Sequence, residues 1–150
     1  MEKRDLVKEL HSLCKLDIDA YFAYQETLHH IDEKEIKANI ERFRIDHERH
    51  IKDISEELRT LGEKPPEFSR DIKGYVLYVF TKVRSLTGTE GALKALKGGE
   101  ETMNKKYGAA VKLDFPTNIK TLIERNYQDE QNHLKWIDNA INTKAWKKAA

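Results

Sequence analysis

Six side chains of metal-ligand type fall on stripes that are otherwise apolar, and they form two sets repeated 83 positions apart. The first set is Asp17, His47 and His50; the second is Glu100, Glu130 and His133. In each set the second member follows the first by 30 positions and the third follows the first by 33. Ionised groups persist in a core only when they are paired or metal-bound, because leaving them bare costs far more than a fold can spare. The pattern therefore constrains the chain to bring both sets to one interior layer.

The stripes are helical, with steps of three and four. The first helix is expected over about 4–31, through Leu6, Leu10, Leu13, Asp17, Ala20, Tyr24, Leu28 and Ile31. The second is expected over about 34–61, through Ile36, Ile40, Phe43, His47, His50, Ile54, Leu58 and Leu61. Asp32-Glu33 marks the turn between them. A third over about 89–113 carries Leu93, Leu96, Glu100, Met103, Tyr107 and Ala110, and Gly98-Gly99 predicts close packing or a local distortion beside Glu100. Asp114 is expected to cap the fourth, with Pro116 in its first turn and a stripe of Ile119, Ile123, Asn126, Glu130, His133, Ile137 and Ala140. The tail from about 144 is basic and expected to fray.

The repeat extends beyond the ligands: Leu10 maps to Leu93, Tyr24 to Tyr107, Ile40 to Ile123 and Ile54 to Ile137. The expected architecture is an all-α antiparallel four-helix bundle in one domain over 1–150. It comprises a hairpin over 4–61, a crossover over 62–88 and a second hairpin over 89–143, with both hairpins running the same way up. The crossover holds Pro65-Pro66 and then an extra apolar helix over about 70–86, capped by Ser69, which reads as a lid across the bundle or a homodimer contact.

Bulk properties exclude several classes. With 27 basic and 26 acidic side chains, nothing favours nucleic acid or an acidic membrane as a partner. No run is long enough to span a bilayer. Met1 to Leu10 is charged throughout and lacks the apolar segment of a signal peptide. The lone cysteine, Cys14, excludes an internal disulfide or a CxxC site, so a cytoplasmic, reducing setting is expected.

Residues equidistant from a hairpin turn lie level with one another. Each carboxylate, Asp17 or Glu100, thus faces the i, i+3 pair of its own hairpin. One pair is His47-Glu48-Arg49-His50 and the other Glu130-Gln131-Asn132-His133, with Glu48 pointing off the stripe. Asp46 and Asp129 precede the two pairs and are placed to accept the outer imidazole N–H groups. Asn126 is expected to hydrogen-bond within the site. Tyr24 and Tyr107 read either as packed core aromatics or as hydrogen-bond donors to carboxylates of the opposite hairpin. Cys14 reads as a small buried hydrophobe before it reads as a soft ligand. His11, His29 and His30 are expected in solvent, and Trp136 under the crossover.

These residues resemble the ferritin-like superfamily, and within it small bacterial proteins related to rubrerythrin. The resemblance covers about residues 6–142 apart from the extra helix. It implies a di-iron site with single carboxylates Asp17 and Glu100, one Glu-x-x-His unit at Glu130 and His133, and His50 as the histidine of the other. His47 departs from it, standing where the superfamily has a glutamate that commonly bridges two metals. Two divalent ions on three carboxylates and three imidazoles would leave that inner shell positive.

The resemblance implies iron, two ions or one Fe and one Mn, reacting with oxygen or peroxide in ferroxidase or peroxide-scavenging chemistry. Any electron donor would be external, since no rubredoxin-like cysteine pair is present. The alternative is non-catalytic: a structural metal such as zinc, or a decayed site, in a stress-related or protein-interaction bundle.

Overall fold

The computed structural model describes residues 1–70 and 88–147. Among them are four long helices: α1 (Lys3–Leu28), α2 (Lys34–Thr60), α3 (Gly88–Ala110) and α4 (Thr117–Asn142). The all-α four-helix bundle expected from the stripes is present. α1 packs on α2 and α3 on α4 as hairpins, and the hairpins meet through α1 against α3 and α2 against α4. The extra helix expected over 70–86 lies outside the described residues, except for its first position.

The apolar stripes fill two clusters. One joins the first half of α1 (Leu6, Leu10, Leu13) to the end of α2 (Ile54, Leu58), the end of α3 (Met103, Tyr107) and the start of α4 (Ile119, Ile123). The other joins Tyr24, Ile36, Ile40 and Phe43 to Leu93, Leu96 and Ile137. Each fully buried Leu or Ile contributes about 1.5–3 kcal/mol relative to exposure. Between the clusters lies the polar layer.

This partition corrects the expected sense of the hairpins. The start of α1 packs with the end of α3, so the two hairpins run in opposite senses and their turns lie at opposite ends. Thr89, at the start of α3, donates to Glu33 in the α1–α2 turn, which fixes the same orientation. Thr89 thus ties to the other hairpin. The end of α2 and the start of α3 therefore lie at opposite ends of the bundle.

Local signals explain the helix ends. α2 stops in a Schellman arrangement, with Gly62 at φ +81°, Gly62 N–H on the Arg59 carbonyl and Glu63 N–H on the Leu58 carbonyl. α1 ends at Leu28, three residues earlier than expected, because His29 and His30 close a tight turn that leaves Ile31 buried. Asp114 does not cap α4: Pro116, in extended backbone at φ −55° and ψ 149°, is the N-cap, and its carbonyl accepts the Lys120 N–H. α3 continues unbroken through Gly98 and Gly99. Of the tail from 144, residues Ala145–Lys147 form a 3-10 turn that brings Trp146 against the second cluster, and residues 148–150 lie outside the described residues. Trp136 packs edge-on against Phe43 of α2, at 5.6 Å between ring centroids.

Candidate metal centre

Each helix contributes to the layer at its middle: Asp17 from α1, His47 and His50 from α2, Glu100 from α3, and Glu130 and His133 from α4. All six are at most 1 % exposed. They form two overlapping four-residue groups, Asp17–His47–His50–Glu130 and His47–Glu100–Glu130–His133, and within each group the ligand atoms lie within 4.8 Å of one another. All six sequence-predicted ligands are thus brought together.

Glu130 and His47 belong to both groups. Glu130 Oε1 lies 3.4 Å from His47 Nδ1 and 3.3 Å from His50 Nδ1, while its Oε2 lies 3.5 Å from His133 Nδ1. His47 turns Nδ1 to Asp17 at 2.8 Å and Nε2 to Glu100 at 3.2 Å.

The surrounding residues cross between the hairpins. His50 Nε2–H donates to Asp129 of α4 at 2.9 Å, and His133 Nε2–H donates to Asp46 of α2 at 2.8 Å. Each aspartate therefore orients the imidazole of the opposite hairpin and turns its Nδ1 inward, which fixes the tautomer a metal would meet. The tyrosines cross likewise: Tyr24 donates to Glu100 and Tyr107 to Asp17. Of the two readings of these phenols, hydrogen bonding to the opposite carboxylate holds. Asn126 reaches the Tyr107 hydroxyl at 3.4 Å. Cys14 faces Ser55 at 3.7 Å and is fully buried, outside both ligand groups.

Two residues were not singled out from sequence. Arg49 donates to Asp129 and lies 3.6 Å from Asp46, so one guanidinium spans both outer aspartates. Its only sequence signal is its i+3 position after Asp46. Asn104 donates to the backbone carbonyls of Glu100 at 2.8 Å and Glu130 at 3.0 Å, tying α3 to α4 at the height of the site. Phe43 stacks on the His133 ring at 4.3 Å between centroids, closing that side against water.

Electrostatics follow from burial among opposite charges. Burial opposes protonation of His133, but the Glu100 charge and the Asp46 hydrogen bond outweigh it and push the imidazole up to about 12. His47 is likewise pushed up to about 9 against burial, by Glu130, Asp17 and Glu100. His50 is raised well above its ordinary value against burial, chiefly by Asp17 and Asp129. Burial works against ionisation of Asp17 and Glu100, yet the facing imidazoles hold both below the usual carboxylate range. Glu130 is raised, by burial and by the Glu100 charge.

The residues fit a metal on three counts. Four buried ligand atoms, Glu100 Oε2, both oxygens of Glu130 and His133 Nδ1, have no hydrogen-bond partner among the described residues, at a cost of about 1–3 kcal/mol each. Ligands sharing one tetrahedral ion at about 2.0–2.2 Å sit about 3.3–3.6 Å apart. Glu100, His133 and Glu130 are spaced at 3.4 and 3.5 Å. Finally, the carboxylates of Asp17, Glu100, Glu130, Asp46 and Asp129 against Arg49 leave four negative charges with neutral imidazoles, which two divalent ions cancel. The positive balance expected of the inner shell is thus offset by the outer aspartates.

The family model described as Domain of unknown function (DUF2383) matches residues 5–113. The chain belongs to that family. The match holds Asp17, His47, His50 and Glu100 and stops before α4, which supplies Glu130 and His133. No curated protein matches the chain. A solved structure described as a ferritin like, diiron-carboxylate protein from Bacillus anthracis str. Ames has a TM-score of 0.71 at 17% identity, covering 94% of this chain and 99% of that one. A two-domain protein from Anabaena variabilis containing dj-1/thij/pfpi-like and ferritin-like domains has a TM-score of 0.77 at 19% identity. That likeness covers 96% of this chain but 41% of the longer protein. At these identities the likeness is one of fold, and the fold is ferritin-like. Among the described residues no helix is long and apolar enough to cross a membrane.

Proposed function

We propose that this chain is a metalloprotein whose buried centre takes two ions, iron or iron with manganese, and reacts with oxygen or peroxide. The carrying observation is the pair of overlapping four-residue groups that share Glu130 and His47 at the centre of the bundle. The description of the Bacillus anthracis neighbour as a diiron-carboxylate protein supports the reading. Bound iron would supply one-electron chemistry toward the oxidant.

The chain's own residues do the rest. Asp17 and Glu100 offer carboxylates from opposite hairpins, and Glu130 offers one oxygen to each group. Asp46 and Asp129 hold His133 and His50 with their inner nitrogens presented. Tyr24 and Tyr107 fix the carboxylates they donate to, and the apolar clusters on either side exclude bulk water. A cavity of about 20 Å³ between α1 and α3, lined by Ala20, Ala23, Gly99 and Glu100, is the size of one water-sized molecule. Electrons for turnover would come from an external donor, because Cys14 is the chain's one cysteine.

A second reading, a structural zinc ion, is favoured by His47, which adds a third imidazole where the superfamily pattern has a carboxylate. One experiment separates them. Apo-protein is loaded with Fe(II) without oxygen, exposed to oxygen or peroxide, and followed by optical absorption, with Glu130→Ala as control. A ferric band that the control lacks supports the redox reading. One inert ion, displaced by zinc, supports the structural one.

A further inference from the structure

We infer that the two ion positions are unequal: Glu100, Glu130, His133 and Nε2 of His47 form a closed four-ligand position, and Asp17, His50 and Glu130 form an open three-ligand one. This rests on the metal-binding reading above.

The argument begins at His47. A neutral imidazole carries one N–H and one lone pair, so it completes only one of the two groups it touches. Its Nδ1 is 2.8 Å from Asp17 and its Nε2 is 3.2 Å from Glu100. Both contacts are within hydrogen-bond distance; in the neutral ring that a metal requires, the shorter one keeps the proton, which places it on Nδ1 and turns the lone pair to the Glu100 group.

The unsatisfied atoms agree. Glu100 Oε2, Glu130 Oε2 and His133 Nδ1 are buried without a hydrogen-bond partner among the described residues, and all three residues stand in the same group. Across the layer, Asp17 accepts from His47 and Tyr107, and His50 donates from Nε2 to Asp129 with its Nδ1 3.0 Å from Asp17. In the Asp17 group only Glu130 Oε1 is left without a partner. The Glu100 side thus needs an ion to satisfy its polar atoms, and the Asp17 side is largely satisfied without one.

The outer aspartates point the same way. Arg49 pairs closely with Asp129, the acceptor of His50, while it stands 3.6 Å from Asp46, the acceptor of His133. A carboxylate already engaged by a guanidinium draws less on the imidazole proton and leaves His50 the weaker ligand. The three-ligand position then has the open coordination site that reactive centres keep. The oxidant would meet the centre on the Asp17–His50 side, where Tyr107 donates to Asp17.

The test is cobalt(II) titration of the full-length apo-protein, read by visible absorption and by X-ray absorption at one equivalent. The first equivalent is expected to give the intense bands of four-coordinate cobalt and a shell with two imidazoles, His47 and His133. Asp46→Asn is expected to weaken that first equivalent by roughly 10–100-fold, and Asp129→Asn to leave it and weaken the second. One imidazole at one equivalent, or two equivalents bound indistinguishably, would overturn the assignment without touching the metal-binding reading. No cobalt uptake would overturn both. The wild-type X-ray absorption result stands even if a variant fails to fold.

Discussion

Glu130 is the residue whose replacement separates function from stability most sharply. It is fully buried, and neither carboxylate oxygen has a hydrogen-bond partner among the described residues. Each such buried acceptor costs about 1–3 kcal/mol. Methionine fills a similar volume with no oxygen to satisfy, and exchanging a buried charge for an apolar side chain of like size is often neutral or stabilising. The imidazoles that lose a neighbouring charge keep other carboxylates: Asp17 and Asp129 for His50, Asp17 and Glu100 for His47, Asp46 and Glu100 for His133. Glu130→Met should therefore stabilise the metal-free chain by about 2 kcal/mol or more, raising Tm by about 4–8 °C at this size. Metal at a hundredfold excess over its Kd should add about 2.7 kcal/mol per ion bound to the wild type and nothing to the variant. Thermal melts of both proteins, with and without Fe(II) under anaerobic conditions, read all four quantities. A variant that melts below the wild type without metal, or that keeps the metal-dependent shift, refutes the reasoning.

Four further outcomes are expected. Metal ligation needs neutral imidazoles, and His47 and His133 are held up to about 9 and about 12 in the metal-free chain, so Fe(II) or Zn(II) affinity should rise with pH and binding should release protons to an indicator dye. Raised imidazole values also mean stability that is complete below about 6.5 and lost toward about 9, so the Tm of the metal-free chain should fall across that window; a rising Tm contradicts the site's charge pairing. Tyr107→Phe removes the donor to Asp17 and should cost about 1–3 kcal/mol by denaturant unfolding; an unchanged midpoint would show that the contact contributes nothing. Cys14 is fully buried, with burial pushing its thiol up to about 11, so iodoacetamide should label it only after denaturation; rapid labelling of the folded chain contradicts that burial.

The ligands were legible because each is a charged or polar residue on a helical stripe that is otherwise apolar, and because the repeat counts them twice. The same logic placed Asp46 and Asp129 beside the imidazoles, though not the exchange by which each serves the opposite hairpin. That exchange depends on how the hairpins face one another, and distance from a turn is the same whether they run in one sense or in opposite senses. The packing of Leu6 and Leu10 with Met103 and Tyr107, and the Thr89–Glu33 hydrogen bond, decide it. Tyr24 and Tyr107 stayed open between packing and hydrogen bonding for the same reason. Arg49 and Asn104 carry no such signal, because polar residues off a stripe look solvated. A proline near a helix start suits the first turn, whereas the extended backbone of Pro116 makes it the residue before the helix. The extra helix expected over 70–86 lies almost entirely outside the described residues.

The most direct test of the central claim, a buried metal centre built from both hairpins, is the Fe(II) stoichiometry of the apo-protein by anaerobic equilibrium dialysis. The account predicts two ions retained per chain, with Glu130→Ala losing them. Retention of no ion, or equal retention by wild type and Glu130→Ala, would contradict it and leave a bundle whose polar layer serves only its own packing.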